Sequence, residues 1–310
     1  MDDVRTALLE GRMDLPRVGE VRAGGRSSLP YLVVDAREAE VEPISKYLRD
    51  LALSDASPLT CRSYAHDLLR WWRLLDVLGV GWAQATSAEV TVLVGWLRTA
   101  RNPQRRRTSK LRPGTVNLRT GKAALPGGYA ASTINHTLSV LSGFYAFHAH
   151  YGRGPASNPV PDQQGRRALL AHRNPLEPHR LAPRARLRQK VVEQAPRSIP
   201  DPLWAELFEA MTCDRDRALL AFYVSGGARA SELLELRLDH VDWAGMRIWV
   251  TSKGSHVLQE IPASPEAFGY LALYLDEHGL PERDQPVWRA LHGTPRPLTY
   301  SAMRTPTAVR

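Results

Sequence analysis

Through the first half of the chain, apolar positions recur at three- and four-residue steps, the spacing that gives a helix one buried face. Ile44, Tyr47, Leu48 and Leu51 follow Pro43 in this way, which predicts a helix starting near the proline. Ser57-Pro58-Leu59-Thr60 is an entry signal, with Ser57 as N-cap and Pro58 in the first helical position. Behind it Tyr64, Leu68, Trp71, Trp72 and Leu75 form an apolar stripe, with Arg62, His66, Arg70 and Arg73 among them. The paired tryptophans read as core, although on a surface they would make a stacking platform for bases. Ser87 is expected to cap a third helix through Val90, Leu93, Val94 and Leu97, with Glu89 in its first turn. Ser132 opens a fourth through Ile134, Leu138, Leu141, Tyr145 and Phe147, ending near Gly152. These four helices predict a small bundle over residues 41–155. Residues 1–40 lack the pattern. Gly24-Gly25-Arg26-Ser27-Ser28 signals a loop and Tyr31 to Val34 a short strand, so this stretch reads as an N-terminal arm.

The pattern resumes near Ser198 and changes character. Pro200-Asp201-Pro202 starts a helix through Leu203, Leu207 and Met211. Asp214 or Asp216 opens the next, which carries Leu219, Leu220, Phe222 and Tyr223 and stops at Gly226-Gly227. A short helix bearing Glu232 follows. Arg247 to Thr251 has the composition of a strand, and Val257 to Ile261 can return beside it around Lys253-Gly254-Ser255-His256. Another helix holds Ala267, Leu271, Leu273 and Leu275 before Gly279. The fold class predicted is mainly α with a small antiparallel β-sheet: a helical domain, then an α/β domain over residues 198–310.

Two stretches between these elements have no period. Arg101 to Gly128 contains Arg101, Arg105, Arg106, Arg107, Lys110, Arg112, Arg119 and Lys122 with no Asp or Glu, and its prolines and glycines exclude a long helix. Asn158-Pro159-Val160-Pro161 marks a domain boundary, and residues 156–197 read as a basic linker. From Arg166 to Arg197, the residues Arg166, Arg167, Arg173, Arg180, Arg184, Arg186, Arg188, Lys190 and Arg197 face only Glu177 and Glu193. A basic, extended segment can track a phosphate backbone and release its counterions. Arg62, Arg105, Arg106, Arg107, Lys110, Arg112, Arg166, Arg167, Arg184, Arg186, Arg188 and Lys190 are therefore the candidate DNA contacts. The plainer alternative for both stretches is a solvated insertion and hinge. The net charge of +9 favours an anionic partner, and nucleic acid is the commonest. Two cysteines exclude a disulfide framework and an all-cysteine zinc site. No apolar run approaches the ~20 residues that span a bilayer, and no secretory signal is evident. A cytoplasmic protein without membrane contact, metal or cofactor is expected.

Several chemistries are missing. The order Ser252-Lys253-Gly254-Ser255 is not a P-loop, and no His-Glu-x-x-His, Cys-x-x-Cys or Gly-x-Ser-x-Gly occurs. Arg229 and Glu232 stand three residues apart, on one helix face, which an ordinary ion pair explains. Their place just after a glycine break suggests more. A phosphate oxygen there would meet both a guanidinium fork and helix N–H groups. Lys253, in a turn, could reach an anion or donate a proton.

Ser225-Gly226-Gly227-Ala228-Arg229-Ala230-Ser231-Glu232-Leu233-Leu234-Glu235-Leu236-Arg237, with Asp239-His240-Val241-Asp242-Trp243 after it, resembles the first catalytic box of the tyrosine recombinases, the family of phage integrases and Xer-type proteins. Thr251-Ser252-Lys253-Gly254 looks like their lysine hairpin. The stretch Ser57 to Tyr64 resembles the opening of their helical core-binding domain, so the resemblance covers roughly residues 41–304. It implies a SAM-like core-binding domain and an α/β catalytic domain that clamp double-stranded DNA and assemble through C-terminal tails. It implies further that Arg229 binds the scissile phosphate, Lys253 acts as general acid toward the leaving 5′-oxygen, and Glu232 orients the site.

The family's later His-x-x-Arg box and nucleophilic tyrosine have no counterpart here. His150-Tyr151-Gly152-Arg153 precedes Arg229, and Tyr300 lies in a stretch that resembles the entry to the missing box. The expectation is a C-terminally truncated, incomplete recombinase from a mobile element, able to bind DNA but not to cleave it, with its oligomerisation in question. Two alternatives stand beside it. One is a non-catalytic DNA-binding regulator or competitor of a full-length relative, and the other an active recombinase using Tyr300.

Overall fold

The computed structural model describes residues 2–103, 115, 128–161, 185–191, 199–252, 257–282, 285–291, 293 and 296–304. The fold is mostly helical with two small antiparallel sheets. The chain divides into two compact units, residues 1–195 and 196–310.

In the first unit, helix α1 (Asp2–Leu9) precedes a hairpin of β1 (Glu20–Arg26) and β2 (Leu29–Val34), with Val21 opposite Val33. Helices α2 (Glu42–Leu53), α3 (Pro58–Leu78), α4 (Ser87–Thr99) and α5 (Ala131–His150) follow. Ser57 caps α3 as the sequence predicts, its Oγ accepting the Thr60 N–H at 3.2 Å. Gly79 ends the helix in the left-handed region at φ 61°, a conformation that costs glycine least. The apolar stripe of α3 is buried through Cys61, Ala65, Leu68, Trp71, Leu74 and Leu75. Trp71 is core: its indole N–H donates to the Tyr145 hydroxyl at 2.9 Å, and that hydroxyl donates to the Trp82 carbonyl at 3.1 Å.

Three expectations change here. The cap of α4 is Thr86, one residue before Ser87, because Glu89 reaches back to accept the Thr86 N–H at 2.7 Å and closes a capping box. Helix α5 begins at Ala131 without a side-chain cap, so Ser132 lies inside the helix. Residues 1–40 are not a free arm. Leu8, Leu15, Leu29 and Val33 belong to the same hydrophobic core as α2 to α5. The hairpin lies against α2 and α3, and α1 against α4, where Arg5 pairs with the buried Glu89 carboxylate.

The second unit holds α6 (Asp201–Glu209), α7 (Asp214–Gly226), the short α8 (Ala230–Leu234), strands β3 (Val241–Asp242), β4 (Arg247–Thr251) and β5 (Leu258–Pro262), α9 (Pro265–His278) and α10 (Tyr300–Arg304). The strands pair antiparallel in the order β3-β4-β5, with Ile248 opposite Ile261. Helices α7 and α9 pack together, and Phe222, Phe268, Leu271, Tyr274, Ile248 and Trp288 form the core. Among the described residues no helix is long and apolar enough to cross a membrane.

Candidate functional site

Arg229 and Glu232 are placed by a sharp change of direction. Helix α7 ends at Gly226, and Gly227 takes φ 64°, where a Cβ would be strained. Arg229 is then the N-cap of α8, in an extended conformation, rather than a residue of its first turn. Glu232 folds back over it. One carboxylate oxygen accepts the Arg229 backbone N–H at 2.8 Å, and the other accepts from the Arg229 guanidinium at 2.6 Å. The pair is lopsided: the Glu232 side chain is 6% exposed and that of Arg229 63%. Because Glu232 already takes the cap N–H and α8 has only five residues, little of the expected helix-terminus cradle remains for an anion. The guanidinium is the part that faces solvent.

The support beneath is firm. Trp288 is fully buried and donates its indole N–H to the Leu233 carbonyl at 2.7 Å, while the Val287 N–H donates to Leu236 O at 2.7 Å. A pocket of about 250 Å³ has Glu232 on one wall and Trp249, Val250 and Thr251 of β4 on another. The Ser252 N–H donates to Val257 O at 2.9 Å and closes the β4–β5 hairpin. Lys253 itself lies outside the described residues. Helix α10, which begins at the half-exposed Tyr300, packs against α8.

The first unit contains a larger feature. A groove of about 580 Å³ runs between α3, which supplies Arg62, His66 and Arg70, and α5, which supplies Ser132, Thr133 and His136. Arg62, His66 and Arg70 fall on one face because they are four residues apart. Arg62 sits 6.0 Å from the Tyr31 ring centre, and Arg70 is 4.9 Å from that of Tyr129. Below them lies Asp67, a buried carboxylate with partners on both helices. One oxygen accepts from Arg70 at 2.5 Å and from the Thr137 hydroxyl at 2.9 Å; the other pairs with His136 Nδ1 at 2.8 Å.

The two histidines of the groove are driven in opposite directions. The hydrogen bond to Asp67 raises the pKa of His136 above 6.5, against some desolvation. Burial, with Arg62 and Arg70 nearby, lowers that of His66. Burial alone would raise the Asp67 pKa, but the His136 hydrogen bond, the Arg70 charge and the Thr137 hydroxyl outweigh it and lower it below the usual carboxylate value.

The sequence candidates for DNA contact scatter. Arg62 lines the groove. Arg186 and Lys190 are exposed. Arg188 is tied to α5, donating to Ser139 Oγ at 2.9 Å, while Gln189 and Asn135 exchange two hydrogen bonds at 2.7 and 2.9 Å. Residues 185–191 therefore dock on α5 rather than running free. Arg105, Arg106, Arg107, Lys110, Arg112, Arg166, Arg167 and Arg184 lie outside the described residues. Sequence reasoning missed Asp67, Arg70 and His136 as a group. The ladder Arg62-His66-Arg70 was a usable signal, but nothing local points from it to residue 136. Among the described residues, no three His, Cys, Asp or Glu side chains converge on a metal-binding position.

Residues 44–117 match the phage integrase N-terminal SAM-like domain, the part that carries the α3 face of the groove. Transposase A from transposon Tn554 of Staphylococcus aureus is 24% identical over 218 residues, 69% of this chain and 55% of that protein. Tyrosine recombinase XerC of Serratia marcescens is 26% identical over 249 residues, 78% of this chain and 63% of that one. The chain thus spans a little over half the length of these relatives. A solved structure of the Tn1549 transposon integrase in complex with circular intermediate DNA covers 82% of this chain and 73% of its own, at 10% identity and a TM-score of 0.49. The domain match defines an integrase-type helical domain. Together with these two relatives, which align with most of this chain at 24% and 26% identity, it supports kinship with the tyrosine recombinases.

Proposed function

We propose that this chain binds duplex DNA for site-specific recombination or integration, with the α3–α5 groove on the duplex and Arg229 on a backbone phosphate. The observation that carries the reading is the Arg229 side chain. It is mostly exposed, yet one edge is fixed by buried Glu232. A guanidinium held on one edge offers its remaining N–H groups in a set direction, which suits a phosphate. In this reading Glu232 positions Arg229 and does no chemistry, and Lys253 would protonate a leaving 5′-oxygen only where other residues supply the attacking nucleophile. Arg105, Arg106, Arg107, Lys110, Arg112, Arg166, Arg167, Arg184, Arg186 and Lys190 add phosphate contacts. The similarity to a transposase and to a recombinase directs the proposal toward mobile DNA.

No His-x-x-Arg follows Lys253 in these 310 residues. We therefore assign to them the holding and polarising of a phosphate, not strand cleavage. Acting alone they would compete with a complete recombinase for its sites. A second reading has one observation in its favour: α10 starts at Tyr300 and packs against α8, which places a tyrosine hydroxyl on the helix next to the Arg229 pair's own.

A nicked duplex that traps covalent intermediates separates the two. The expected result is salt-sensitive binding, weakened by Arg229→Gln, with no covalent product. A covalent protein–DNA band that disappears in Tyr300→Phe overturns the non-cleaving assignment. Affinity that does not change with salt counts against phosphate contact altogether.

A further inference from the structure

We propose that Asp67 is a positioning residue for DNA binding, anchoring Arg70 and His136 from beneath the groove so that His136 turns its Nε2 edge toward a backbone phosphate. This inference rests on the groove being the DNA surface. Its geometry is independent of that reading. Asp67 is buried, and from α3 it reaches His136 of α5, 69 residues further along the chain. His136 lines the groove with its side chain 44% exposed. Its Nδ1 is engaged by Asp67 at 2.8 Å, and Nε2, across the ring, faces away from that carboxylate.

The chemistry follows from the two protonation states. An Nδ1–H bonded to Asp67 leaves neutral His136 with a lone pair on Nε2, which a phosphate oxygen repels. The imidazolium instead presents an Nε2–H donor. Asp67 and a bound phosphate both favour the charged form, so DNA affinity rises as His136 takes up its proton. Among the described residues the groups that face His136 are Asp67, Arg70 and the edge of Tyr64 at 5.6 Å between ring centres, with Arg62 and His66 further along the α3 wall. Its own neighbours on α5, Ser132 and Thr133, are uncharged. Arg70 opposes protonation and Asp67 favours it, and Asp67 is the closer partner.

The test is the affinity of the whole chain for a mixed-sequence DNA duplex across pH ~5.5 to ~8.5, the range in which histidine titrates. The natural chain is expected to lose roughly tenfold in affinity as pH rises through a midpoint above 6.5, the size of one charge-assisted contact. Asp67→Asn should move that midpoint downward, and His136→Gln should remove the step. The His136 ring titration, followed by NMR without DNA, should shift down in Asp67→Asn. A midpoint unmoved by Asp67→Asn, or a pH step that survives in His136→Gln, overturns the proposal. Should Asp67→Asn fail to fold, His136→Gln decides alone, since it leaves Asp67 bonded to Arg70 and Thr137. Arg62→Ala separates this failure from that of the underlying reading. If Arg62→Ala leaves affinity unchanged at every salt concentration, the groove is not the DNA surface. If it weakens binding while the midpoint stays put, only the role of Asp67 falls.

Discussion

The Arg229 site and the α3–α5 groove both hold a cation beside a buried carboxylate, but they are built differently. Glu232 and Arg229 are three residues apart and need only one turn of chain to meet. Asp67 and His136 meet only because α3 and α5 pack side by side in a finished core. A local pair survives small shifts in the packing around it. A long-range pair reports on that packing and depends on it. The contrast teaches that the same charge pattern can be a property of a sequence or of a fold.

The largest expected effect concerns the platform of the local site. Trp288→Ala should cost the second unit about 3–5 kcal/mol through the cavity and the lost bond to Leu233 O. Denaturant unfolding followed separately in each unit checks this, and an equal loss in the first unit would contradict two separate cores. Next come the carboxylates themselves. Asp67→Ala removes the partner of three groups on two helices and should cost about 2 kcal/mol, a figure reduced because His136 is solvent-facing. Glu232→Ala should cost about 1 kcal/mol, mainly the lost cap bond, since the exposed Arg229 pair adds little. If Glu232→Ala proves the more damaging, the distinction between local and long-range pairs is wrong.

The pH response sharpens the same comparison. His136 has a raised pKa, so its contribution is complete below 6.5 and is lost as pH rises through the folded value. Asp67 has a lowered pKa, so its contribution is complete above 3.8 and is lost as pH falls through the folded value. His66, held below 6.5, opposes folding further on the acid side when it must take a proton. Thermal melting of the first unit should therefore weaken on both limbs, with His136→Gln flattening the alkaline one. The smallest effect is on binding. Arg62→Ala should reduce the slope of log affinity against log salt by about one, the signature of a single lost phosphate contact.

What could be read in advance follows the same division. Helix α3 was legible because its cap, its proline and its stripe are all local. The Arg229–Glu232 spacing was legible for that reason too. The β1–β2 hairpin was not. Most of β1 is exposed, so Glu20 to Arg26 carries no alternation, and its place is set by β2, whose Leu29 and Val33 are buried against helices later in the chain. Thr86 and Ser87 are adjacent hydroxyls, and only the position of the Glu89 carboxylate decides between them. Asp67 reads in sequence as one more polar residue of an amphipathic helix. Its burial is visible only when α5 is in place.

Arg73 shows how far this reaches. It follows Arg62, His66 and Arg70 on α3 and has the look of one more phosphate contact. Instead its Nε donates to Val18 O at 2.6 Å and its terminal nitrogen to Gly19 O at 2.8 Å, at the root of the hairpin. Mechanically this is a strut. If α3 were to roll about its axis, the groove residues would swing with it, and the strut would drag the hairpin along. Torque on the helix is thus resisted by a segment that lies before the domain-matched residues begin. Shortening the chain from its front would loosen the aim of the groove without removing a single residue from its walls.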